Sequence, residues 1–172
     1  MKKIILISLS LFLTVIFFSC KKEATDIPIG TISVNINGTA STFNIQAKAS
    51  RPITSNGGYA IQINGYKKDP FLSGTNLSFR IESPIQISAG TYTENALGDP
   101  IVTMSHFVDI FVGYGSGSSN YGSVRNPVSI SITEITSSSI KGIFKGELHA
   151  SSYTGSPGET EILTNGMFYV SF

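Results

Sequence analysis

One cysteine, two histidines and no tryptophan stand in 172 residues, and 13% of the chain is charged. A single cysteine allows no disulfide within the chain, so the fold must hold by burial and hydrogen bonding. Neither histidine, His106 nor His149, has a third metal ligand at close spacing, and the chain holds no HExxH pair or Cys cluster. No G-x-S-x-G elbow marks one of the many serines as a nucleophile. Twelve basic and eleven acidic residues, scattered along the chain, argue against a nucleic-acid partner and against a polybasic membrane patch. No apolar run reaches the ~20 residues of a membrane-spanning helix. No repeat of fixed period appears.

What is present begins at the amino end. Lys2 and Lys3 precede an almost wholly apolar run from Ile4 to Phe18, and Cys20 follows at once. A basic start, an apolar core of about 7–15 residues and a cleavage region make a secretory signal. Ordinary signal cleavage needs small residues one and three places before the cut. Ser19 is small, but Phe17 is bulky. Phe17-Phe18-Ser19-Cys20 instead resembles a bacterial lipobox, with Phe17 where Leu is usual. That resemblance implies a diacylglycerol on the sulfur of Cys20, which becomes the new amino terminus. A buried methylene contributes ~0.8 kcal/mol and one chain binds marginally, so two or three chains make attachment lasting.

The expected organisation is a signal peptide over 1–19, a lipidated terminus and tether over 20–30, and one domain over 31–172. Removing the first nineteen residues leaves 153 and turns the net charge from +1 to −1, because Lys2 and Lys3 leave with them. The charged start of the tether, Lys21-Lys22-Glu23, resembles short export tags that send such lipoproteins to the outer face, although those tags favour acidic pairs. The expected location is the cell envelope, at the outer membrane.

Period-two alternation dominates the rest, and no stretch has a helical period. Ile32, Val34 and Ile36 share a face, and Asn37-Gly38 follows as a hairpin turn, both residues tolerating positive φ. Phe43, Ile45 and Ala47 answer them. Further faces are Tyr59/Ile61/Ile63, Leu77/Phe79/Ile81, Val128/Ile130/Ile132 and Ile140/Phe144/Leu148. "SHFVDIFVGY" is apolar on both faces and predicts a central strand. "TEIL", Asn165-Gly166 and "MFYVSF" predict a last hairpin. About nine short strands predict an antiparallel β-sandwich, with a lipocalin-like β-barrel as the alternative.

"VNINGTASTFN", "SAGTYT", "ITSSSIKGIFKGEL" and "TNGMFYVSF" together resemble a group of small, uncharacterised Bacteroidota-type lipoproteins. The resemblance spans most of the domain and rests on turn and core residues. It implies an all-β lipoprotein and carries no catalytic residue across.

Candidate chemistry is sparse. His106 shares a phase with Met104 and Val108, which predicts a satisfied core or strand-edge histidine. His149 shares one with Lys145 and Glu147 and is expected to face water. Glu94, Asp99 and Asp109 could supply a carboxylate pair ~5–9.5 Å apart for glycoside hydrolysis. The loop of the first two could also hold calcium, but no D-x-D-x-D-G ladder accompanies it. Glu159 and Glu161 are expected to be solvated. The Gly/Ser-rich loop between Tyr114 and Tyr121 offers two rings that could stack on a sugar or a partner surface. The expectation is therefore a membrane-anchored, non-enzymatic binding module without a cofactor, contacting a glycan or envelope protein. A structural envelope component is the alternative, and a glycosidase-like enzyme stands behind both.

Overall fold

A computed structural model describes residues 26–67, 75–93, 100–109, 112–116, 128–150 and 160–172. Eleven strands follow in order: β1 (Thr31–Ile36), β2 (Thr39–Phe43), β3 (Ile45–Ser50), β4 (Tyr59–Tyr66), β5 (Asn76–Ser83) and β6 (Gly90–Thr93). Then come β7 (Ile101–Asp109), β8 (Val112–Ser116), β9 (Ser129–Ile135), β10 (Ser139–Ala150) and β11 (Thr160–Ser171). The alternation that produces them is visible in burial. Ile32, Val34, Ile61, Ile63, Leu77, Phe79, Ile81, Ile130 and Ile132 are all buried, with half-exposed or exposed residues between most of them. Asn37 and Gly38 turn β1 into β2 with φ of 50° and 80°.

All eleven strands belong to one sheet, in the order β2-β1-β11-β3-β4-β5-β7-β8-β10-β9-β6, and β10 also pairs with β11. That extra pairing leads from β11 through β3, β4, β5, β7, β8 and β10 back to β11. Two seams in the ring are thin. A single parallel pair, Ser171 with Lys48, joins β11 to β3, and two pairs, His149–Gly115 and Ala150–Tyr114, join β10 to β8. The all-β expectation holds, and the sheet is a nearly closed barrel, the alternative architecture, in place of two stacked sheets.

Alternation is the same in a sandwich and a barrel; closure depends on bends. Opposite the step from Phe144 to Gly146 on β10, β11 advances from Gly166 to Leu163, one residue more. The same extra residue appears against β1, between Ser33 and Asn35. Asn165, at φ 52°, occupies this bulge. A Cβ on Gly166 would stand 2.5 Å from the Phe144 carbonyl oxygen, so the strands can close here only around glycine. Asn165-Gly166 is thus a bulge inside one continuous strand and not the expected hairpin. It also switches the buried phase from Glu161 and Leu163 to Phe168 and Val170.

"SHFVDIFVGY" likewise spans two strands: β7 and β8 run antiparallel, with His106 opposite Tyr114. The lumen is filled by Phe79, Phe144 and Phe168, whose ring centres lie 5.0, 5.2 and 6.4 Å apart. Those separations fall in the attractive range for aromatic pairs.

Candidate functional site

Two mouths terminate the barrel. Residues 26–30, the β3–β4 loop, the β5–β6 loop, the β9–β10 turn and Phe172 gather at one, here called the amino-terminal mouth. The Asn37-Gly38 turn, the end of β10 and the start of β11 lie at the far mouth.

The amino-terminal mouth holds a groove of about 730 Å³. Its walls are the β3–β4 loop with the start of β4 (Ile53, Tyr59), the β5–β6 loop (Gln86, Ile87, Ser88) and the β9–β10 turn (Thr136, Ser137). Each wall is braced. Arg51 donates from Nη2 to the Thr136 carbonyl at 2.7 Å, and its guanidinium lies 3.7 Å above the Phe172 ring. The Tyr92 hydroxyl donates to the Ser88 carbonyl and accepts from the Ser88 N–H, both at 2.9 Å. Thr136 Oγ1 accepts from the N–H groups of Ser138 and Ser139 at 3.2 and 3.0 Å. Ile87, 7% exposed, pins its loop to the core.

The surface of the groove is more apolar than polar, with Pro52, Ile53, Ala60, Ile61, Ile87 and Ile135 as its aliphatic lining. Among the described residues that line the groove, Arg51 is the only charged one. Such a surface can bind by desolvation and shape, with Gln86, Ser88 and Ser137 as orienting polar groups. A smaller hollow of about 190 Å³ adjoins it, sharing Gly58 and bordered by Ile101, Pro84 and Glu82. Glu82 is paired with Arg80 at 2.6 Å.

Nearer the far mouth the lumen contains an ionisable pair. His106 Nδ1 lies 2.7 Å from Glu161 Oε2, with the side chains 7% and 9% exposed. The Phe43 and His106 rings meet nearly perpendicular, with 5.7 Å between centres. His106 is therefore the satisfied core histidine its phase suggests. Glu161, expected in water, is buried, because the bulge at Asn165 places residues 161 and 163 on the lumen side. His149, also expected in water, is half-buried, 3.7 Å from Glu147.

The other candidates are placed as follows. Cys20, Tyr121, Glu94, Asp99 and Glu159 lie outside the described residues. Tyr114 is on β8, opposite His106 and Ala150, toward the far mouth and away from the groove. Asp109 ends β7, paired with Val112. Among the described residues, no three His, Cys, Asp or Glu side chains stand close enough to hold a metal ion. No described helix is long and apolar enough to cross a membrane.

Sequence reasoning passed over the groove. Its clue was Ile53, an isoleucine inside the turn-rich stretch "RPITSNGG", where no alternation could assign it to a core. Comparison with protein-family models, curated proteins and solved structures found no match to this chain.

Proposed function

We propose that this protein is a lipoprotein of the cell envelope, held at the outer membrane by lipid on Cys20, which binds an apolar ligand without catalysis. The binding site is the groove at the amino-terminal mouth. The observation that carries this reading is the groove itself: about 730 Å³, braced on three sides and lined by aliphatic and polar residues with apolar surface predominating. Ligand pockets commonly enclose roughly 300–1,000 Å³ and are lined in this way. The signal-like segment before Cys20 supports the location. The ligand comes from the envelope: an aliphatic segment of a protein, or a glycolipid whose acyl part enters the groove.

The test uses anilinonaphthalene sulfonate as an apolar reporter on the full chain. One saturable site is expected, lost in Ser137→Trp, where the indole fills the groove. It should be kept when Tyr114 and Tyr121 are both changed to Ala. Unchanged binding in Ser137→Trp together with loss in the double tyrosine variant would move the site to the Tyr114–Tyr121 loop.

A further inference from the structure

Nine large hydrophobic side chains are exposed among the described residues, and five belong to the amino-terminal mouth: Ile53 (86%), Ile85 (74%), Ile29 (55%), Tyr59 (51%) and Ile101 (45%). They are linked by the two adjoining hollows and by local pairing. Ile53 bridges to Tyr59, Ile85 lies between Pro84 of the smaller hollow and Gln86 of the groove, and Ile101 borders the smaller hollow. An apolar rim on a folded domain marks a contact with something apolar.

The direction of the chain says what. The Gly30 N–H donates to the Tyr169 carbonyl at 2.7 Å, and Asp26 pairs with Lys141. The backbone therefore leaves the barrel at this mouth. From Asp26 back to Cys20 there are six residues, which reach about 20 Å at full extension. The twelve residues of β11 rise roughly 40 Å. A lipid on Cys20 thus keeps the amino-terminal mouth near the bilayer and leaves the far mouth a barrel's length away.

Charge at this mouth does not oppose the approach. Arg51 lies over Phe172, Lys141 is paired with Asp26, and Glu82 with Arg80. Among the described residues, Arg51, Arg80 and Lys141 are thus each engaged locally, and the contact is one of aliphatic insertion. Tyr59 adds a ring suited to the headgroup level.

We infer that the amino-terminal mouth docks on the lipid bilayer, with Ile53 and Ile85 entering the headgroup–acyl boundary and the groove opening toward the membrane. This rests on the lipid-anchor reading above. It makes the bilayer the source from which the groove takes its ligand.

The chain contains no tryptophan, so one introduced indole reports alone. Full-length lipidated protein carrying Ile53→Trp is reconstituted into phosphatidylcholine vesicles whose acyl chains are brominated. Ile85→Trp is the second probe, and Thr39→Trp, on β2 at the far mouth, the comparison. Emission from both rim variants is expected to shift to the blue and lose at least half its intensity. Emission from Thr39→Trp should stay unchanged, and raised salt should alter none of these results.

Flotation of the parent chain beside Cys20→Ser reads the anchor separately. Failure of the parent chain to float overturns the anchor and the docking together. Flotation without quenching of either rim variant overturns the docking alone. A blue shift that needs no vesicles and grows with protein concentration also overturns it, in favour of a second copy of the chain.

Discussion

Toward the far mouth the lumen carries an imidazole and a carboxylate 2.7 Å apart, shut away from water beside Phe43. At the amino-terminal mouth, isoleucines stand in water around an open groove, while the neighbouring charges are tied down locally. Both arrangements invert the usual preference of polar groups for water and of apolar groups for the core. The inversions differ in what compensates them. The buried pair is satisfied inside the fold, so it acts on stability. The exposed rim is not covered by any described residue of its own chain, so it is available for association.

That contrast can be broken most forcefully at the pair. His106→Ala should cost about 3–5 kcal/mol, because it leaves Glu161 buried without its partner. His106→Leu combined with Glu161→Leu should be close to neutral, since two apolar side chains then replace two charges or dipoles. Urea denaturation of the three proteins measures both effects. A double variant as unstable as the single one would show that the pair contributes structure of its own.

At the other mouth the expectation reverses. Ile53→Ser and Ile85→Ser should change unfolding free energy by no more than about 0.5 kcal/mol, as surface substitutions do. The same variants should clearly weaken vesicle contact. A large loss of stability would mean that the rim packs within the fold.

The smallest effect belongs to the bridge between the amino-terminal segment and β10. The Lys141 pKa is raised, chiefly by its hydrogen bond to Asp26, with the Coulombic pull of that carboxylate adding to it and desolvation opposing. Its contribution is therefore present below the ordinary lysine range and lost as pH rises through the raised value. Asp26 is 81% exposed, so screening keeps the contribution slight. Asp26→Asn should lower the melting midpoint marginally at neutral pH, and the difference from the parent chain should begin to shrink above the ordinary lysine pKa of about 10.4 and vanish above the raised value.

The strands and most core positions were legible in the sequence because burial follows a period of two, as in Ile32, Val34 and Ile36. The barrel was named only as an alternative. Its closure depends on the Asn165 bulge and on Gly166 meeting Phe144, and an Asn-Gly pair has the same composition in a bulge as in a hairpin. Glu161 is expected in water because it stands beside a loop, and the burial phase that β11 takes before the bulge is not visible from that position. The pairing of His106 with Glu161 joins residues 55 apart in sequence and on strands that are not neighbours, so no local spacing announces it. The groove arises where three connecting segments meet, and loops lack the periodicity by which their burial could be read.

On the docking proposal, the amino-terminal mouth is covered in its native setting while the far mouth is open to water. Labelling of introduced thiols on membranes carrying the full chain tests this directly, with Ser137→Cys in the groove wall and Thr39→Cys at the far mouth. Thr39→Cys should react with a hydrophilic maleimide at once, and Ser137→Cys only after detergent is added. Equal reaction at both positions on intact membranes would contradict the account.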